Sequence, residues 1–221
     1  MADPGKKRIF LVDDHPAFRA GMRAILAQEE DLEICGEAPD ARAALAAIPE
    51  ARPDLALVDI SLPGRSGLEL IKDLKALQPA LLFLVLSMHE DTVYALRVLQ
   101  AGGHGYLNKE AASEEIIDGI RRIFAGQMLF QQEQLVQRGP GLPEASGTVA
   151  GIEFLTDREL EVFEHLGHGR TTREVARELS MSLKTAEVHR SNIRRKLNFS
   201  TAAELTHAAY HWVYKRERKP K

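Results

Sequence analysis

The chain has a single cysteine and no apolar run long enough to cross a bilayer, and each scarcity excludes a class of protein. Cys35 has no partner for an internal disulfide, so covalent staples cannot hold this fold. A lone thiol inside a strand-like stretch reads as a small core residue in a reducing compartment. The longest apolar run, Ala80–Leu86, falls far short of the roughly 20 residues a membrane-spanning helix needs. Lys6, Lys7 and Arg8 run straight into a strand-like segment, without the apolar region of a secretory signal. No internal repeat is present. The expectation is a cytoplasmic protein without membrane contact.

What is there is an ordinary globular composition, 44% hydrophobic and 28% charged over 221 residues, enough for one large domain or two small ones. The net charge of −3 conceals an asymmetry. From residue 152 onward there are 14 Lys+Arg against 10 Asp+Glu, whereas the preceding part carries 15 against 22. Five of the eight histidines also lie in the rear part. An acidic front and a basic back imply two jobs, and the back is the part suited to a polyanion.

Residues 8 to 126 alternate between strand-like and helix-like segments. The apolar runs Ile9–Val12, Leu32–Glu37, Leu55–Val58, Leu81–Leu86 and Tyr106–Leu107 read as strands. Between them, helices are expected over Pro16–Gln28, from Asp40 to near Pro49, over Leu68–Leu77 and over Asp91–Ala101, with Ser113–Ala125 after the last strand. Five strands alternating with five helices describe an α/β doubly wound, five-stranded parallel sheet of flavodoxin-like type. Residues 127–151 hold Gly139, Pro140, Gly141, Pro143, Ser146 and Gly147 and read as a flexible linker, with Leu129–Gln137 a candidate helical stem. After it, residues 152–221 read as a small all-α domain of four helices. The first opens on the capping box Thr156…Glu159, and the others start at Thr171/Thr172, Ser182 and Thr201.

Polar residues stand where the front strands end: Asp13–Asp14, Asp59, Ser87 and Lys109. A parallel α/β sheet gathers the carboxyl ends of its strands into one crevice. Three carboxylates so placed repel one another and call for a hard divalent cation, for which oxygen ligands suit Mg²⁺. With a Lys–Ser clamp beside it, Asp59 becomes a workable acceptor for a phosphoryl group.

The segments Val12–Pro16 (Val-Asp-Asp-His-Pro), Leu57–Gly64, Leu86–His89 and Gly105–Lys109 resemble the receiver domain of two-component response regulators. The resemblance covers residues 8 to 126. It implies that Asp59 is the phosphorylated aspartate and that Asp13, Asp14, Asp59 and the main-chain carbonyl of Ser61 hold Mg²⁺. It also implies that Lys109 pairs with the phosphoryl oxygens, while Ser87 swings toward them and draws Tyr106 inward. Ser61 and His89 occupy positions where receivers tune dephosphorylation. Glu110 stands where many receivers carry a proline with a cis peptide bond.

Residues 155 to 212 are similar to the LuxR-type helix-turn-helix domain, with the helix pair at about 171–190, and the whole chain resembles a NarL/FixJ-type response regulator. In the second helix of the pair, Ala186, His189, Ile193 and Leu197 share a face and should point into the domain. Glu187, Val188, Ser191, Arg194 and Arg195 then face outward, and the resemblance places the start of this helix in the major groove, where base edges can be read. Lys184, Thr185, Arg190, Arg194 and Arg195 suit phosphate contacts that position without specifying. Tyr210 and Trp212 are expected to pack the last helix, within the domain or across a dimer.

The function implied is a transcription factor switched by a sensor histidine kinase. It would dimerise when phosphorylated and hold double-stranded promoter DNA through two half-sites, with RNA polymerase as a further candidate partner. Two rivals remain. One is a DNA-binding regulator with a vestigial receiver. The other is an aspartyl-phosphate phosphohydrolase, for which Ser61 occupies the position where an acid would be needed.

Overall fold

The computed structural model describes residues 5–88, 92–130, 149 and 151–217. The chain divides into two compact units, residues 1–136 and 137–221. In the first, strands β1 (Lys7–Val12), β2 (Leu32–Ala38), β3 (Leu55–Asp59), β4 (Leu82–Ser87) and β5 (Gly105–Asn108) alternate with helices α1 (Pro16–Leu26), α2 (Ala41–Ala51), α3 (Gly67–Leu77) and α4 (Thr92–Ala101), and α5 (Ser113–Phe124) closes the series. All pairings are parallel and the strand order is β2-β1-β3-β4-β5. The expected doubly wound sheet is therefore the observed one, with strand ends shifted by a residue or two.

Period-two alternation sorts each strand's side chains onto two faces. Ile9, Leu11, Leu55, Leu57, Leu84 and Leu86 form one core with Met22 and Leu26 of α1 and Ile116, Ile120 and Ile123 of α5. Phe10, Ala56, Val58, Phe83 and Val85, also buried, belong to the opposite face. Burial on both faces explains why β3 and β4 read as unbroken apolar runs.

Local chemistry sets the helix ends. Asp40 caps α2 by accepting from the Ala43 N–H at 2.8 Å, and Ser66 caps α3 through the Glu69 N–H at 3.3 Å. The α2 helix ends at Ala51, near Pro49 as expected, with Arg52 at φ 46° as its C-cap. Cys35 is half-buried, its thiol donating to the Ile9 carbonyl at 3.4 Å, and burial raises its pKa. It is thus a partly exposed strand residue and not a core one.

Leu129 departs from its sequence reading as the start of a helical stem. It forms a parallel bridge to Gly105, donating its N–H to the His104 carbonyl and accepting from Tyr106, and its side chain is buried. The edge of β5 offers unpaired backbone groups and an apolar slot beside Gly105 and Gly119, and Leu129 satisfies both. The rest of that stem, 131–137, lies outside the described residues.

The second unit holds a short 3₁₀ turn (Ile152–Phe154) followed by α6 (Asp157–Gly167), α7 (Thr172–Glu178), α8 (Leu183–Lys196) and α9 (Ala202–Glu217). Its core gathers Leu160, Phe163, Leu166, Val175, Ile193, Leu205 and Trp212, with the Phe163 and Trp212 rings 5.6 Å apart. Trp212 packs as expected, whereas Tyr210 is exposed. Both Thr156 and Thr171 form complete capping boxes, with Glu159 and Glu174 returning to the cap N–H at 2.8 Å.

Glu159 does more than cap. Its Oε2 also lies 2.6 Å from Lys196 Nζ, tying the start of α6 to the end of α8. Burial works against its charge, but Lys196 and the Thr156 N–H outweigh it and hold the carboxyl below its ordinary pKa. A depressed carboxylate contributes stability above its unfolded pKa and loses it as pH falls through the folded one. Glu159→Gln is therefore expected to cost this unit about 1–2 kcal/mol at neutral pH. In urea denaturation, the difference from wild type should shrink as the pH falls below the ordinary glutamate range.

Candidate functional site: an acidic pocket and an exposed helix

The strand order reverses between β1 and β3, and in open α/β sheets the crevice outside the carboxyl ends at such a point is where ligands bind. Register brings the polar residues there. Val12 pairs with Val58, so Asp13 follows one strand as Asp59 ends the next. Asp59 pairs with Leu86 and Ser87 with Asn108, which sets Ser87 and Lys109 along the same rim. The Lys109 N–H donates to the Ser87 carbonyl at 2.7 Å, fixing the chain as it leaves β5.

At the centre stands Lys109. Its Nζ lies 2.7 Å from Asp59 Oδ2 and 2.7 Å from Asp13 Oδ2, with all three side chains nearly buried. The Phe18 ring covers the ammonium at 4.8 Å. Burial works against the charge of Lys109, yet the two carboxylates overcome it and raise its pKa. Burial, followed by repulsion from Asp59, raises the pKa of Asp13. One ammonium does not balance the acids around it.

The remaining members are held by backbone. The Ser61 N–H donates to Asp59 Oδ1 at 3.1 Å, and the His15 N–H donates to Asp13 Oδ1 at 2.8 Å. Asp14 is partly exposed at the mouth, its Oδ1 2.7 Å from His15 Nδ1. One ligand atom from each of Asp13, Asp14, His15 and Asp59 lies within 4.8 Å of all the others. Convergent carboxylates with surplus negative charge suit a hard divalent cation, so the donor set fits Mg²⁺. Ser87 is buried at the rim, and Tyr106 is already buried, on the other face of β5 from Leu107. Glu110 follows Lys109 through a trans bond, since no cis peptide occurs among the described residues, and its N–H donates to Asn108 Oδ1 at 2.8 Å. His89 lies outside the described residues.

Sequence reasoning passed over two side chains of this pocket, His15 and Phe18. The first could have been found, because it directly follows the acid pair. The second could not, because only the packing of α1 brings its ring over Lys109. Gly67 is a further hidden constraint. A methyl group there would stand 2.2 Å from the Asp59 carbonyl oxygen, so only glycine lets α3 start this close to the acceptor loop.

In the second unit, α7 ends at Leu179, Ser180 takes φ 50°, and Ser182 caps α8 through the Thr185 N–H at 3.0 Å. Ala186, Ile193 and Leu197 are buried and His189 is half-buried, as the spacing predicts. Lys184, Thr185, Glu187, Val188, Ser191, Arg194 and Arg195 are all exposed, and Val188 at 50% is an apolar side chain presented outward. Arg190 is different. It is half-buried, and its Nη1 donates to Thr172 Oγ1 at 2.7 Å, so it fastens α8 to α7 instead of standing free on the outer face.

Comparison with known proteins assigns both units. Residues 9–121 match the response regulator receiver domain, and residues 153–209 match the bacterial regulatory proteins of the luxR family. The chain is a two-component response regulator. It joins a receiver to a LuxR-type helix-turn-helix DNA-binding domain, and its family regulates transcription. It is 36% identical over 202 residues to the transcriptional activator protein ExaE of Pseudomonas putida, covering 91% of this chain and 94% of that one. It is 31% identical to the response regulator UvrY of Escherichia coli K12, covering 91% and 92%. The receiver domain of the putative response regulator NarL from Mycobacterium tuberculosis superposes with a TM-score of 0.54 at 31% identity, over 56% of this chain and all of that one. A promoter-bound RcsB from Salmonella enterica serovar Typhimurium shares the fold, with a TM-score of 0.63 at 24% identity, over 92% and 98% of the two chains. Among the described residues of this regulator no helix is long and apolar enough to cross a membrane.

Because the acids outnumber the ammonium in the metal-free pocket, removing one should relieve the fold. In the presence of a chelator, Asp13→Asn is expected to melt several degrees above wild type at neutral pH, by calorimetry. Added Mg²⁺ should then raise the wild-type midpoint and leave the variant nearly unmoved. A metal-free variant no more stable than wild type would contradict the charge imbalance.

Proposed function

We propose that Asp59 accepts a phosphoryl group from a sensor histidine kinase, and that this event controls dimerisation and promoter binding. The observation that carries the reading is the meeting of Asp13, Asp59 and Lys109 at the switch point of the sheet, with Lys109 Nζ 2.7 Å from each carboxylate. In the transfer, an oxygen of Asp59 forms a bond to phosphorus as the bond from phosphorus to the kinase imidazole breaks. The electron pair leaves on that imidazole nitrogen. A carboxylate is a weak nucleophile toward an anionic centre, so catalysis rests on charge neutralisation and alignment.

The chain's own groups supply most of that. The Ser61 N–H holds one oxygen of Asp59 and so orients the other, and Lys109 offsets the negative charge that gathers on the phosphoryl oxygens. Asp13, Asp14, Asp59 and the Ser61 carbonyl would hold Mg²⁺, which when bound adds further positive charge beside those oxygens. Once formed, the aspartyl phosphate resembles other phosphorylated side chains, with about −1.5 to −2 charge and three acceptor oxygens. Lys109 then exchanges a carboxylate partner for a phosphoryl one. Ser87 turns its hydroxyl toward the same oxygens, and Tyr106 follows the space so created. That local change biases a two-state receiver surface, drawn from α4 and α5 or from α1 and α5.

On this reading the receiver proper extends through the Leu129 bridge, past the expected boundary at 126. The linker joins it to a DNA-binding domain that covers one half-site. Pairing two chains places two such domains on half-sites about 10 base pairs apart and can raise avidity roughly 100-fold or more. Lys184, Thr185, Arg194 and Arg195 hold phosphates, while Glu187, Val188 and Ser191 face base edges. Bound in this way, the chain is placed to recruit or obstruct RNA polymerase.

Beryllofluoride, a phosphoryl mimic, is expected to shift wild type to a dimer by light scattering and to tighten promoter binding. Asp59→Ala should respond in neither measurement. An equal response in both proteins would defeat the switch and leave a phosphorylation-independent regulator. On the DNA side, Arg194→Ala should weaken binding about evenly across sequences and lower the salt slope by about 1, whereas Val188→Ala should change sequence preference at one position by roughly 1–3 kcal/mol. Fluorescence anisotropy against a set of single-base variants, at several salt concentrations, separates the two.

A further inference from the structure

The outer face of α9 carries two histidines one turn apart, His207 and His211, both exposed. Their Nε2 atoms approach to 3.1 Å and the rings meet edge to face, with centroids 4.3 Å apart. The Tyr210 ring lies 6.0 Å from that of His211, edge-on, and stacks on Tyr214 at 5.7 Å. Neither the phosphorylation switch nor the recognition helix uses this pair.

Two imidazole nitrogens 3.1 Å apart on one helix face are a suitable pair of ligands for a borderline transition cation. Zinc–imidazole bonds of about 2.0–2.1 Å, spanning two nitrogens at the observed separation, subtend an angle of about 98°. That value lies between the octahedral and tetrahedral ideals, so both rings reach one ion with little movement. Residues i and i+4 share a helix face, and the backbone of α9 has already placed both ligands before any ion arrives. Without an ion, one ring has to donate its Nε2 proton to the other.

We propose that His207 and His211 form a chelating site for a divalent late first-row cation, Zn²⁺ in the first instance, with water completing the coordination. The ligand types separate this site from the acidic pocket. Imidazole suits Zn²⁺, Ni²⁺ and Cu²⁺, whereas clustered carboxylates suit Mg²⁺. The receiver and the last helix therefore respond to different ions. Cross-linking one turn of α9 would also stiffen the helix whose inner face seats Trp212 against Phe163.

The test is a calorimetric titration of the full chain with Zn²⁺ in excess Mg²⁺, beside His207→Ala, His211→Ala and the double variant. Both positions are exposed, and far-UV circular dichroism checks that the variants fold. Wild type should bind one Zn²⁺ per chain that the double variant does not, and each single variant should lose roughly 100-fold in affinity, the gain that linking two ligands provides. In a second measurement, the Nε2 resonances of both rings should shift together by one equivalent of Zn²⁺. Equal uptake by wild type and double variant, or unmoved ring resonances, would overturn the site. The outcome is independent of Asp59, so failure here leaves the phosphorylation reading untouched.

Discussion

Two ionised carboxylates can be buried side by side only with opposite charge between them, and in this regulator that is the Lys109 ammonium between Asp13 and Asp59. The three groups come from the ends of three different strands, so the ion pairs also report that the sheet has closed in its proper order. The compensation is incomplete, because Asp14 adds further charge at the mouth and Asp13 is held above its ordinary pKa. The pocket thus carries more negative charge than its one ammonium offsets.

Gly67 lets α3 begin against the Asp59 carbonyl, and the Lys109 N–H is pinned to Ser87. The Ser61 N–H fixes the acceptor carboxylate. Three capped helix starts and the Arg190–Thr172 and Lys196–Glu159 links tie α8 to its neighbours in the second unit.

Much of this was legible in the residues. Strands buried on both faces gave unbroken apolar runs, and capping boxes at Thr156 and Thr171 marked helix starts through short-range chemistry. The exposed stripe of α8 followed from helical periodicity. One departure came from a long-range contact: Leu129, read as the start of a helical stem, pairs instead with the open edge of β5. Arg190, read as a phosphate contact, also donates to a hydroxyl on α7. Within the single chain Trp212 packs on Phe163, while Tyr210 stays exposed.

Sequence alone determined the element order, the identity of the polar residues at each strand end and the outward face of the second helix of the pair, because each depends on spacing within one segment. Tertiary structure decided that Lys109 divides itself between two carboxylates, that Phe18 covers it, that Gly67 must lack a side chain and that two histidines on α9 converge. Those facts depend on distances between segments or on chosen rotamers. A linear pattern does not contain them until packing selects one arrangement.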